Sequence, residues 1–260
     1  MKYLIAIDSD GTLRKTDGTI SNRTKETIKK IVENGNIVVI CTARPRYHTQ
    51  KISIEVGINR YMISSNGTEI FDAQKQKTIW AQYIDKNSCK LLYDYATLHN
   101  IRIMFVSENT EYVTQYTRND NQILLTDDNK EIVFDSQVKQ AMIIGKEKNK
   151  IETFKEIVKN KYKMNILDSS KENSDETWFS IISANASKGV AVLKLAKHLN
   201  IPLENIIAIG NDNNDISMFE VAKISVAVSN STKEALEKAT YKIKSNDEDG
   251  VAFFLETLIK

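Results

Sequence analysis

The chain has 260 residues, 41% hydrophobic and 27% charged, and its 36 Lys and Arg against 34 Asp and Glu leave a net charge of +2. Such a composition excludes disorder and collagen-like repeats and suits one large domain or two small ones, and without a basic stripe no nucleic-acid partner is expected. No apolar stretch reaches the ~18 residues of a membrane span, the N-terminal apolar run breaks at Asp8 without a leader's cleavage site, and Cys41 and Cys89 form neither a disulfide framework nor a zinc motif. A soluble cytoplasmic protein is expected.

Tyr3–Ile7 is a continuous apolar run that stops at Asp8, the pattern of a strand covered on both faces. A helix is predicted from about Ser21, its N-cap, with Ile28, Ile31 and Val32 on one face and Asn34-Gly35 as its stop. Ile37–Cys41 is a second buried strand ending at Thr42, Pro45 suits the first turn of another helix, and Tyr61–Ser64 is a third strand. This rhythm predicts a right-handed parallel α/β sheet.

After Ser64 the pattern changes. Glu69–Asp72 and Lys77–Ala81 flank a polar turn as a hairpin would. From Tyr83 to Ser183, helical patterns (Ser88–His99, Lys150–Tyr162) mix with exposed strands (Ile101–Val106, Glu131–Phe134, Gln140–Ile144, Trp178–Ile182) and polar loops (Thr117–Asn121, Asp168–Asp175). That mixture predicts an α+β insert with an antiparallel sheet. The α/β rhythm then resumes: helix Ser187–Leu199, strand Ile206–Ile209, helix Asp215–Ala222, strand Ser225–Val228 and closing helix Glu248–Ile259. The expected organisation is an α/β core of residues 1–82 and 184–260 interrupted by an insert over 83–183.

Open parallel sheets bind ligands at the carboxyl ends of their strands. Four polar clusters fall there or at helix starts: Asp8-Ser9-Asp10-Gly11-Thr12-Leu13, Thr42-Ala43-Arg44, Lys188-Gly189, and Gly210-Asn211-Asp212-Asn213-Asn214-Asp215. Each alone is an ordinary turn or surface pair. Together they point to an acidic, magnesium-type phosphate site. His48, His99 and His198 lack metal-ligand spacing, and Trp80 and Trp178 read as packing residues.

On these motifs the sequence resembles haloacid-dehalogenase-superfamily hydrolases of the Cof-type group. Asp8–Leu13, Thr42–Arg44, Lys188 and Gly210–Asp215 stand in the family's order, with Ser65-Asn66-Gly67 and Asn246–Val251 as smaller echoes. The resemblance implies a Rossmann-like core whose insert is a class II cap that sets specificity. It also implies a Mg²⁺-dependent phosphatase of small phosphorylated metabolites, sugar phosphates being the family's commonest. Asp8 would be the nucleophile that forms an aspartyl-phosphate. Asp10 would protonate the leaving alcohol and then deprotonate the attacking water. The Thr42 hydroxyl, the Ala43 amide, Lys188 and Asn214 would hold the phosphoryl oxygens, whose charge dominates such a transfer. Two carboxylates and a phosphate dianion need a cation, and Mg²⁺ would take the Asp8 side chain, the Asp10 carbonyl and Asn211, with Asp215 acting through water.

Two positions depart from the family pattern. Ala43 stands for glycine, which leaves the amide available; Asn211 stands for aspartate, which removes one negative charge from the metal site. Asp212 would take the ligand place if the loop were shifted by one. A phosphomutase or phosphotransferase of the same superfamily, and a phosphate sensor weakened in turnover, remain the alternatives. Tyr112, Tyr116 and Arg118 are candidates to face the leaving group, from loops over 109–121 and 168–176. Oligomeric state is left open.

Overall fold

A computed structural model of the chain describes residues 2–58, 60–108, 110–115, 121–162, 164–168 and 176–258. The opening run forms β1 (Leu4–Ile7), buried throughout. Ser21 caps α1 (Asn22–Glu33) by accepting the Thr24 amide. Ile28 and Ile31 are buried, but Val32 is 39% exposed, so the apolar face of α1 is narrower than the spacing predicts. Then come β2 (Ile37–Cys41), α2 (Arg46–Glu55) behind Pro45 at its N-cap, β3 (Tyr61–Ser64), β4 (Glu69–Asp72) and β5 (Lys77–Ala81). The insert supplies α3 (Lys86–Leu98), β6 (Arg102–Val106), β7 (Glu111–Val113), β8 (Gln122–Leu124), α4 (Glu131–Phe134), β9 (Gln140–Gly145), α5 (Lys148–Tyr162), β10 (Asn165–Asp168) and β11 (Thr177–Ile182). After it follow α6 (Lys188–His198), β12 (Ile206–Gly210), α7 (Ile216–Phe219), β13 (Ile224–Val228), α8 (Lys233–Lys238), β14 (Tyr241–Ile243) and α9 (Gly250–Glu256).

The chain divides into two compact units, Met1–Trp80 with Ser187–Lys260, and Ala81–Ala186. In the first, the sheet order is β14-β13-β12-β1-β2-β3-β4-β5, parallel from β14 to β3, with β4 antiparallel to β3. Alternate residues of β1 serve opposite faces. Leu4 and Ala6 pack with Val39, Ala208 and the α6 residues Ala191, Val192 and Leu195. Ile5 and Ile7 pack with Ile40, Ile209, Ile28 of α1 and Val251 of α9. Helices on both faces explain the unbroken apolar runs of the central strands, neither face of which meets water.

In the second unit the order is β10-β11-β9-β6-β7-β8, antiparallel except for β7 with β8. One buried cluster fills it, built on Ile103, Phe105, Ile143, Phe179 and Ile181 from the strands and Leu92, Phe154 and Val158 from the helices. Several expectations are corrected here. Glu131–Phe134 is a helical turn, not a strand: Val133 and Phe134, adjacent in sequence, are buried while Ile132 is half exposed. A strand would have put Ile132 and Phe134 on one face. β7 occupies part of the loop expected over 109–121, and Asp168 ends β10 rather than opening a loop. In the first unit, the helices expected over 215–222 and 248–259 shorten to α7 and α9. Among the described residues no helix is long and apolar enough to cross a membrane.

Candidate active site

Adjacent strands β12, β1 and β2 end side by side in the parallel sheet and deliver Asn211, Asp8 and Thr42 to one edge. Lys188 enters from the start of α6, whose N-cap Ser187 accepts the Val190 amide. Its Nζ donates to Asp8 Oδ1 at 2.7 Å and to Asp215 Oδ1 at 2.5 Å. Lys188 is 1% exposed and Asp215 fully buried. A charge so placed survives only when paired. Burial works against the Lys188 ammonium, but Asp215 and Asp8 outweigh it and hold its pKa well above the ordinary lysine value. Burial pushes the Asp8 carboxyl up to about 7, against the pull of Lys188.

Asp215 is held at every oxygen. Oδ1 accepts from Lys188, and Oδ2 accepts the backbone amides of Asn211 and Asp212 at 2.8 and 3.0 Å. The strand end can lie this close because Gly210 has no Cβ; a methyl there would collide with the Asp215 carboxyl. Asp212 Oδ1 accepts the Asn213 amide at 2.7 Å, and the side chain caps the 3₁₀ turn Asn213–Asp215. Asn214 Nδ2 donates to Asn66 Oδ1 at 3.0 Å. Asn66 stands at φ 58° between Ser65 at 49° and Gly67 at 86°, a left-handed run behind β3.

The Asn211 side-chain amide reaches the first loop. One of its terminal atoms lies 2.7 Å from Thr12 Oγ1, 3.2 Å from Asp8 Oδ2 and 3.0 Å from the Asp10 carbonyl oxygen. A nitrogen there donates to all three. An oxygen there joins the Asp8 and Asp10 oxygens in an all-oxygen cluster, the donor set that suits Mg²⁺. Among the described residues no three His, Cys, Asp or Glu side chains gather to hold a metal. The fit rests instead on one carboxylate, one backbone carbonyl and one amide. Gly11, at φ +78°, makes the turn that aims the Asp10 carbonyl inward.

Asp10 is half exposed and its carboxylate faces Arg44 in a two-pronged pair, Nε to Oδ2 at 2.6 Å and Nη2 to Oδ1 at 2.8 Å. Burial raises the Asp10 carboxyl, but Arg44 outweighs it and holds the pKa below the ordinary aspartate value. Thr42 is buried and Ala43 half-buried. Ser9, fully buried, sits between Thr42 Oγ1 at 2.8 Å and Asp10 Oδ2 at 3.0 Å. The structure thus brings together Asp8, Asp10, Thr42, Ala43, Lys188, Asn211, Asn214 and Asp215.

Sequence reasoning gave no role to Ser9, Arg44 or Asn66. Ser9 could have been flagged as a hydroxyl between two carboxylates just past an apolar strand. Of the candidates to face the leaving group, Tyr112 is corrected: it is buried in the core of the second unit with Ser136 Oγ at 3.2 Å from its hydroxyl. Tyr116 and Arg118 lie outside the described residues.

A family model described as haloacid dehalogenase-like hydrolase matches residues 5–255. The 5-amino-6-(5-phospho-D-ribitylamino)uracil phosphatase YwtE of Bacillus subtilis is 30% identical, over 98% of this chain and 97% of the relative. A haloacid dehalogenase-like hydrolase structure from B. subtilis superposes with a TM-score of 0.86 at 25% identity, covering 98% of this chain and 99% of that one. A HAD subclass IIB sugar phosphatase shares the fold with a TM-score of 0.83 at 20% identity, over 99% of this chain and 100% of that one. The chain therefore belongs to the haloacid dehalogenase-like hydrolases of the Cof-type group, as a phosphatase, a hydrolase of phosphoric monoesters.

Proposed function

We propose that the chain hydrolyses small phosphorylated metabolites bearing a sugar or sugar-alcohol chain, with Mg²⁺, through an aspartyl-phosphate on Asp8. The observation that carries this reading is Lys188, buried and bridging Asp8 and Asp215 at strand ends that also bear Asp10, Asn211 and Thr42. The sugar-alcohol class is supported by the phosphoribityl substrate in the name of the 30% identical relative.

A carboxylate oxygen of Asp8 attacks phosphorus; the Asp8 O–P bond forms as the bond to the leaving alcohol breaks. Lys188 pulls Asp8 toward the carboxylate against its burial and orients it, while Asp215 fixes Lys188. Thr42, the Ala43 amide and Asn214 hold the phosphoryl oxygens. Asp10, once clear of Arg44 and protonated, gives its proton to the alcohol and takes one back from the water that then cleaves the acyl phosphate. Asp8, the Asp10 carbonyl and Asn211 would hold Mg²⁺, with Asp215 indirectly, and the ion when bound would neutralise the phosphoryl charge that develops in transfer.

Phosphate release across a panel of phosphorylated sugars, sugar alcohols and nucleotides, with Mg²⁺ and with chelator, tests the proposal. Turnover confined to the first two classes and abolished by chelator is expected; turnover that survives chelation overturns the metal assignment. We further propose that the unit Ala81–Ala186 carries substrate discrimination. Its removal is expected to leave weak, unselective hydrolysis of a small aryl phosphate, and retained selectivity overturns that assignment.

A further inference from the structure

Ser9 is an inward-facing hydroxyl to which neither the family motifs nor the proposed chemistry gives a task. It is fully buried, as is Thr42, while Asp10 is half exposed. Ser9 Oγ therefore joins a buried phosphate-binding hydroxyl to the carboxylate that would move the proton, 2.8 Å on one side and 3.0 Å on the other.

Counting protons fixes the direction of this chain. A serine or threonine hydroxyl has one proton to donate, and a carboxylate only accepts. If Ser9 donates to Asp10, Thr42 must donate to Ser9, and Thr42 Oγ1 in turn accepts the Arg44 amide at 3.3 Å. Thr42 then has no proton left for a ligand. When Thr42 turns its proton to a phosphoryl oxygen, its lone pair faces Ser9, and Ser9 can donate there instead of to Asp10.

We propose that Ser9 is a positioning residue that couples capture of the phosphoryl group at Thr42 to the hydrogen bonding of Asp10. Without a phosphate Ser9 tethers Asp10 Oδ2 beside Arg44; with one it releases that oxygen toward the leaving group. No bond is made or broken at Ser9; only the direction of two hydrogen bonds changes. The inference rests on the reading of Asp10 as acid and base, so its test must separate the two.

Benzyl phosphate and 4-nitrophenyl phosphate are similar in size, but only the benzyl alcohol needs a proton to leave. Their kcat and KM are measured for the wild type, Ser9→Ala, Asp10→Asn and the double variant, with unfolding midpoints recorded for each. Asp10→Asn is expected to harm benzyl phosphate far more than 4-nitrophenyl phosphate. The inhibition constant of inorganic phosphate is measured on the same four proteins. Because phosphate must displace the Ser9 bond to Asp10, Ser9→Ala should tighten phosphate about fivefold, the net size of one hydrogen bond, and should move kcat on both esters by less than about threefold. In the Asp10→Asn background Ser9→Ala should not tighten phosphate, because it acts through Asp10. Unchanged or weaker phosphate binding in Ser9→Ala, or tightening that persists without the Asp10 carboxylate, overturns the role of Ser9. If Asp10→Asn itself fails to separate the esters, the acid/base reading falls and this inference with it. Ser9→Cys, which keeps a side chain of similar shape, carries the same expectations should the alanine variant not fold.

Discussion

In the α/β unit, β1 buries Leu4 and Ala6 on one face of its sheet and Ile5 and Ile7 on the other. In the inserted unit, β6 sends Ile103 and Phe105 into a core and leaves Arg102 and Met104 half-buried. The first sheet is covered twice, the second has one buried cluster. Aliphatic residues fill the first. Aromatic ones anchor the second: Tyr95 stacks on Phe154 at 4.4 Å, and Phe154 meets Phe179 edge-on at 6.3 Å. A sheet covered on both faces leaves its strand ends as the place for polar groups, and there Asp8, Lys188 and Asp215 are buried together. In the inserted unit the pair of Lys86 with Asp135 lies outside, both partners more than half exposed. A pair held out of water constrains its partners, whereas a solvated pair does little.

The largest expected effect is at Asp8. Asp8→Asn removes the proposed nucleophile while keeping its size, so kcat should fall by more than about a thousandfold, with circular dichroism and the unfolding midpoint close to wild type. Next is Lys188→Met, which leaves Asp8 and Asp215 buried without their cation. Urea unfolding should show a loss of about 3–5 kcal/mol, the cost of breaking a buried pair from one side. Phe154→Ala should cost about 3–5 kcal/mol by opening a cavity in the aromatic core. Its signature is local: amide exchange should quicken in α3, α5 and β11 and stay slow in β1, β2 and β12. Uniform loss of protection would contradict two separately packed cores.

A smaller effect is expected at Asn211. Asn211→Asp adds a negative charge among the oxygens of Asp8 and Asp10, worth about 1–3 kcal/mol in cation binding after desolvation. The Mg²⁺ needed for half-maximal activity should drop about five- to hundredfold, whereas Asp212→Asn should leave it alone because that side chain caps a turn. The pH dependence follows from Asp8. Its folded pKa of about 7 lies above the ordinary 3.8, so the folded state holds the proton more tightly between those values. The Asp8 contribution to stability is then present at low pH and lost as pH rises through about 7. Activity runs the other way, since attack needs the carboxylate: at limiting Mg²⁺, kcat/KM should fall on the acid side of about pH 7, and more Mg²⁺ should move that limb lower. Least of all is Lys86→Ala in the inserted unit, where a solvated pair should leave the unfolding midpoint unmoved.

The same contrast explains what could be read from the sequence. Doubly covered strands such as Leu4–Ile7 and Ile206–Gly210 are unbroken apolar runs, and each stops where a polar residue meets the crevice. Their ends therefore announce the site. The inserted unit gives weaker signals: Glu131–Phe134 is rich in β-branched and aromatic residues like a strand yet forms a helical turn whose buried side chains, Val133 and Phe134, are neighbours. Three-residue strands such as Glu111–Val113 and Gln122–Leu124 are too short to show a period. At the site itself, motif spacing brought out Asp8, Asp10, Lys188 and Asp215, all carrying charge at strand or helix ends. Ser9 and Asn66 were missed because their importance lies in hydrogen bonds to residues distant in sequence, Thr42 and Asn214.

The proposed catalysis turns on whether Asp8 carries the phosphoryl group. A rapid acid quench during steady turnover, borohydride reduction and peptide mass analysis read this directly, because reduction converts an aspartyl-phosphate to homoserine. Homoserine should appear at position 8, only when both phosphoester and Mg²⁺ are supplied, and should be absent from Asp8→Asn. Sustained phosphate release with Asp8 unmodified, or homoserine at Asp10 or Asp215 instead, would show that the nucleophile lies elsewhere.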